Sequence, residues 1–178
     1  MAGRNRFHTA ATVGNLPILR EATRWEANSV DANLLTPVLL AAASGQSVAL
    51  TVLLKRGGDP AKTDRSGNSA LHLAAAGGHR KCVECLLAAG CGVFEMNTAG
   101  RRALDVARLH RQFEVVEVLE GFEADLAGRD PGKCDEQRKR AAKQYEKLKL
   151  RYGAVISLNL GDSFRALEEH TALEEESA

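Results

Sequence analysis

The chain has 178 residues, 44% of them apolar, enough for one domain of ordinary size plus an extension. Its 24 Lys and Arg nearly balance 23 Asp and Glu, and a net charge of +1 argues against wholesale attraction to nucleic acid or membrane. Aromatics are scarce (five Phe, two Tyr, one Trp), so Ala, Leu and Val must build the core, which favours small, closely packed helices over a β-sandwich.

Met1 to Arg6 carries charge with no apolar block behind it, so no secretory signal is expected. No stretch approaches the roughly 18 apolar residues of a membrane helix. A cytoplasmic chain with four reduced cysteines is the expectation.

The chain then repeats itself every 33 residues. Asp31, Thr36, Pro37, Ala41-Ala42, Gly45, Leu53-Leu54 and Gly57 recur as Asp64, Ser69, Ala70, Ala74-Ala75, Gly78, Leu86-Leu87 and Gly90. Gly67, Leu71, Ala74, Val83 and Leu86 recur as Gly100, Leu104, Ala107, Val116 and Leu119. The first copy is shorter, with Phe7 to Ala11 preceding Val38 to Ala42 by 31 residues.

Within each copy, Thr36-Pro37 reads as a helix start, because the hydroxyl caps free amides and Pro suits the first turn. Gly45 and Gly78 end this first helix. A second helix follows, with apolar residues at helical spacing, and stops at Gly57 or Gly90. The polar segment from Asp59 to Gly67 forms a hairpin-like finger. One unit cannot bury its own apolar face, so the units must stack. Ala41-Ala42 and Ala74-Ala75 are small enough to let the next backbone approach. Leu34 stands where the other copies have a turn Gly, and nothing in the sequence explains it.

Gly67, Leu71-His72-Leu73-Ala74-Ala75, Gly78-His79, Gly57-Gly58-Asp59 and Thr36-Pro37 together resemble the ankyrin repeat. The resemblance implies an all-α solenoid of four helix-turn-helix units with β-hairpin-like fingers, plus a C-terminal basic helix. It covers residues 1–125, in units of about 4–30, 31–63, 64–96 and 97–124. Polar substitutions in the last copy, such as Asp105, Arg108 and Arg111, are expected of a water-facing cap.

A narrower resemblance is to the Sans-type ankyrin scaffolds of the Usher complex and their microvillar paralogues. Phe7-His8, Ala10-Ala11, Gly14, Leu19 to Arg24, Arg56 to Pro60, Lys62 and Ala103-Leu104-Asp105 carry it. In that family the segment after the repeats engages an unconventional myosin tail, which this resemblance implies as a partner. The family's SAM segment and C-terminal PDZ ligand find no counterpart here, so harmonin binding is not implied.

After the repeats, residues 126–132 are expected to be a linker broken at Asp130-Pro131-Gly132. Residues 133–152 hold eight basic and three acidic side chains up to Arg151, with an apolar stripe at Ala141, Tyr145, Leu148 and Tyr152. The cations of that basic amphipathic helix are expected to form a solvated face, and its apolar stripe to dock on the last repeat or, as the sharper alternative, in a partner's groove. Residues 153–178 are expected to be an acidic, largely disordered tail.

Sharper chemistry finds little support. Cys82 and Cys85 fall where the preceding copy has Ala49 and Val52, so core packing is preferred to a metal or redox site. His72 and His79 fall on positions where the ankyrin pattern places a structural histidine that bonds loops, and no nucleophile or carboxylate recurs with them. No enzyme activity, cofactor, metal or small-molecule substrate is expected, nor contact with nucleic acid or membrane, and the chain is expected to be a monomer.

The resemblance implies non-catalytic protein binding at the finger tips and inner helix ends. By register these are Ala43 and Ser44; Thr63, Arg65, Ser66, Asn68, Ala76 and Gly77; and Thr98, Ala99, Arg101, Leu109 and His110. Arg65, Arg101 and Arg108 bias the surface positive, so an acidic peptide or scaffold partner is expected. The alternative is an ankyrin-type regulatory inhibitor or nuclear, transcription-linked adaptor using Arg138-Lys139-Arg140.

Overall fold

A computed structural model describes residues 5–150. Nine helices have both ends within them: α1 (Arg6–Val13), α2 (Leu16–Glu21), α3 (Arg24–Ala27), α4 (Pro37–Ala43), α5 (Ser47–Lys55), α6 (Ala70–Ala76), α7 (Arg80–Ala88), α8 (Ala103–Leu109) and α9 (Phe113–Arg129). A tenth, α10, is helical over 131–150. The repeat explains the layout. Helices α1, α4, α6 and α8 stack side by side as an inner layer, and α2, α5, α7 and α9 stack behind them. Between units three and four and between two and three, single antiparallel bridges, Met96–Arg102 and Thr63–Ser69, close the fingers.

Local chemistry sets the helix starts. The Thr36 hydroxyl accepts from the Leu39 amide at 3.2 Å, and Pro37 occupies the first turn of α4. Asn5 caps α1 in place of the Thr-Pro pair, its Oδ1 accepting from the Phe7 and His8 amides. The core is an aliphatic seam. Ala41, Ala42, Ala74, Ala75 and Ala107 are fully buried between layers capped by Leu39, Leu50, Leu53, Leu71, Leu86 and Leu119. Cys82 is fully buried in the same seam and burial pushes its thiol up to about 11, so it packs as a small hydrophobe.

Leu34 now has an account. Its φ is +61°, matching Gly67 at +71° and Gly100 at +69° in the other fingers. The turn demands the left-handed region at this register whatever residue stands there, and a leucine held there is strained by about 1–2 kcal/mol. Leu34→Gly relieves that strain but loosens the unfolded chain. The net expectation is a gain of about 0.5–1 kcal/mol, read as a rise in thermal midpoint; an unchanged or lowered midpoint would contradict it. Arg111 repeats the pattern at φ +55°, at the register of Gly45 and Gly78. A side chain at Gly45 or Gly78 would collide with His79 or Gln112 of the following unit. After Arg111 no further unit follows among the described residues, so its side chain is free to project.

Two expectations about the C-terminal part need correction. The segment 126–132 is not a linker, because α9 continues to Arg129 and α10 begins at 131. Asp130 ends one helix and caps the next, its carboxylate accepting from the Lys133 amide at 2.9 Å. Pro131 then fills the first turn, where a missing N–H is harmless. The basic helix also docks more widely than on the last repeat alone. Cys134 and Ala141 are buried, the Arg138 guanidinium lies 4.9 Å over the Phe94 ring, and the Tyr145 hydroxyl abuts Gly100. Thus α10 runs along the finger segments from the end of unit two to unit four, while Phe113 of α9 stays 77% exposed. Residues 151–152 of the expected helix and the acidic tail lie outside the described residues.

Candidate protein-binding surface

Each finger is tied by one side chain at a fixed register. Asp31 Oδ1 accepts from the Asn33 and Leu35 amides, Asp64 Oδ1 from Ser66 and Asn68, and Asn97 Oδ1 from Ala99 and Arg101, all at 2.8–3.0 Å. Neighbouring fingers are then laced together. The Thr98 amide and hydroxyl both donate to the Ser66 carbonyl, at 3.0 and 2.9 Å. Asn97 Nδ2 donates to Asn68 Oδ1 at 2.8 Å, and the Arg65 guanidinium donates to the Ala32 carbonyl.

The inner helix ends are laced in the same way. Gln46, His79 and Gln112 reach back one unit to the carbonyls of Thr12, Ala43 and Ala76, at 3.4, 3.0 and 3.5 Å. The buried histidines clasp fingers from below. His8 Nε2 lies 3.1 Å from the Leu35 carbonyl, and His72 Nε2 3.0 Å from the Arg101 carbonyl. Both nitrogens of the His72 ring are engaged, since Nδ1 lies 2.9 Å from the Ser69 hydroxyl. This is architecture, and it leaves the ring no free nitrogen for proton transfer.

The expected contact residues fall into two rows. The finger row holds Thr63, Arg65, Ser66 and Asn68, then Thr98, Ala99 and Arg101; the helix-end row holds Ala43 and Ser44, Ala76 and Gly77, Leu109 and His110. Arg65, Ser66, Ala43, Gly77, Leu109 and His110 are exposed, and Thr63, Ser44, Ala76, Ala99 and Arg101 half-buried. Thr98 and Asn68 are spent on holding the fingers, and Thr98 is only 4% exposed. Arg108 adds no open charge. Its guanidinium pairs with Glu120 at 2.6 Å, and this bond holds its pKa above the usual arginine value.

Sequence reasoning missed the cleft that α10 closes against the fingers. Two cavities of about 100 and 220 Å³ adjoin there, sharing Ala61, Ser69, Glu95 and Gln144. Burial raises the Glu95 carboxyl above the ordinary range, opposed by the Arg140 guanidinium. Burial likewise pushes the Cys91 thiol up to about 12, with the Glu95 and Asp59 carboxylates adding to it. Such a thiol stays protonated and unreactive at neutral pH. Among the described residues no group of three or more His, Cys, Asp or Glu could hold a metal ion, and no helix is long and apolar enough to cross a membrane.

A family model described as ankyrin repeats (3 copies) matches residues 7–93 and again 40–130. Ankyrin repeat and SAM domain-containing protein 4B of Mus musculus is 46% identical over 63 residues, 35% of this chain and 15% of that protein. Its Homo sapiens counterpart is 44% identical over 59 residues, 33% of this chain and 14% of that protein. The potassium channel AKT2/3 of Arabidopsis thaliana is 32% identical over 95 residues, 53% of this chain and 12% of the channel. The matches thus span 12–15% of these relatives' own lengths.

Proposed function

The chain belongs to the ankyrin-repeat family, whose repeats bind proteins, and from that premise we propose that it is a non-enzymatic cytoplasmic adaptor gripping an acidic polypeptide between finger tips and inner helix ends. One observation carries the reading. The finger loops and inner helix ends are held in place by bonds made within the array, and Arg65 (exposed) and Arg101 (half-buried) both stand in the finger row. Among the described residues neither arginine has an ion pair, so an incoming carboxylate meets uncompensated charge. The likeness of Phe7 to Gly14, Leu19 to Arg24 and Arg56 to Lys62 to the Sans-type scaffolds supports a finer reading. In it the chain serves an actin-bundle or myosin-linked complex, with an unconventional myosin tail as partner.

The test is site-resolved. A glutamate-rich peptide titrated into isotopically labelled full chain is expected to shift the amide signals of residues 63–68, 76–77 and 98–101. Arg65→Glu with Arg101→Glu is expected to weaken that binding by roughly tenfold or more while the fold stays intact. Shifts confined to other residues, or unchanged binding by the double variant, would overturn the assignment. The nuclear-adaptor reading gains no support from the geometry, since Arg138 stacks on Phe94 and Arg140 faces Glu95.

A further inference from the structure

Trp25 is the chain's single tryptophan and is 77% exposed. It stands on α3, one turn of four residues, far too short to persist by its own helical propensity. The sequence around it supplies the missing support. Glu26 Oε2 accepts from the Thr23 amide and hydroxyl at 2.8 and 2.7 Å, and the Glu26 amide returns a bond to that hydroxyl. The two Thr23 bonds hold the Glu26 carboxyl below its ordinary range.

Asn28 then pins the turn to the second unit. Its Nδ2 donates to the Arg24 and Gly57 carbonyls, both at 2.8 Å, and its Oδ1 accepts from the Asp59 amide at 2.8 Å. Lys62 Nζ donates to the Asn28 carbonyl at 2.9 Å. Seven hydrogen bonds therefore fix a one-turn helix whose one large apolar side chain faces water.

The charges around it are mostly positive. The Arg24 stem lies against Gly57, next in sequence to Arg56. Arg20 and Lys55 lie in the last turns of α2 and α5, which pack together. Of the nearby carboxylates, Glu21 is paired with Arg6 at 3.4 Å, while Glu26 and Asp59 keep their charge and accept from Thr23 and from the Ala61 amide at 2.9 Å, so the cations outnumber them. Among the described residues Arg20, Arg24, Lys55 and Arg56 have no ion pair. Helix dipoles favour cations at helix ends, which accounts for the charge but not for an open indole on a pinned turn.

We propose that Trp25 anchors a second protein-binding surface, at the amino-terminal edge of the stack, and that its partner is an acidic polypeptide segment carrying apolar side chains. The indole inserts among those side chains while Arg20, Arg24 and Arg56 take the carboxylates. Trp and Arg are the side chains that dominate interface energetics. A polypeptide fits better than an anionic bilayer. A lipid surface attracts cations at about 1 kcal/mol each however they are arranged, whereas a prefixed geometry helps only against a partner of definite shape. This surface shares no residue with the Arg65–Arg101 rows and stands or falls separately.

Because Trp25 is the sole tryptophan, its emission reports this surface alone. A peptide with Glu and Leu at helical spacing, titrated into the full chain, is expected to blue-shift that emission to saturation. Arg24→Glu with Arg56→Glu is expected to weaken the titration by roughly tenfold, with circular dichroism confirming the fold; Arg24→Gln with Arg56→Gln replaces it if the reversed pair does not fold. Arg65→Glu with Arg101→Glu is expected to leave the titration unchanged. No shift with the peptide, unchanged affinity on altering Arg24 and Arg56, or an equal shift with phosphatidylserine vesicles would each overturn the proposal.

Discussion

Replacing His72 with alanine is expected to remove about 3 kcal/mol of unfolding free energy. The ring is 2% exposed and spans two units. Its partners fix the tautomer: the Arg101 carbonyl can only accept, so Nε2 carries the proton, and Nδ1 accepts from the Ser69 amide and hydroxyl. Alanine leaves the Arg101 carbonyl without this donor and a ring-sized void beneath the finger at 97–101. Denaturant unfolding should show a lowered midpoint at constant slope.

The same burial gives a pH signature. Desolvation lowers the His72 pKa below a free histidine's 6.5. The unfolded chain therefore binds a proton at a pH where the folded ring stays neutral. The stabilising contribution is complete above pH 6.5 and shrinks as pH falls below it, by up to about 1.4 kcal/mol per unit until the folded value is reached. A His72→Gln variant should lose stability less steeply on acidification from pH 6.5 than the parent chain. Parallel profiles would show that the folded ring titrates normally.

Ala74→Leu is the second large effect, a loss of about 3 kcal/mol. Ala74 is fully buried on α6, which packs against α4 on one side and α8 on the other. Interiors at crystal density have no room for three added carbons. Easing one interface apart disturbs the next, because each unit is held only by its neighbours. The measurement is again the unfolding midpoint, and a change within a few tenths of a kcal/mol would mean the seam is looser than its burial indicates.

Much of this was legible because one period governed it. The 33-residue register places both helices of each unit, and the small residues Ala41-Ala42 and Ala74-Ala75 mark the close approach of neighbouring helices. Leu34 resisted because a side chain's identity does not reveal its φ; only comparison with Gly67 and Gly100 shows that the turn imposes it. Asp130-Pro131 was misread for a related reason. The same pair ends a helix or starts one, and which it does depends on the backbone before it. The docking of α10 lies further out of reach. A stripe through Ala141, Tyr145 and Leu148 says that one face is buried, not against what. The platform under Trp25 escaped notice because its bonds join Asn28 to residues about 30 positions away, where no repeat pattern points.

The histidine clasps are unevenly distributed, and this has a mechanical consequence. His8 joins units one and two, and His72 joins three and four, but at that register unit two carries Leu39, which has no polar atom to offer. The middle joint is bridged instead by the exposed bond from Arg65 to the Ala32 carbonyl, by His79, and by the Thr51 hydroxyl 3.6 Å from Cys85 Sγ. Under load or on engaging a long ligand, the array should hinge there. Helix α10, which closes its cleft on Ala61 of unit two as well as on Glu95 of unit three, straddles that joint, and its seat on both sides limits how far the two halves can swing.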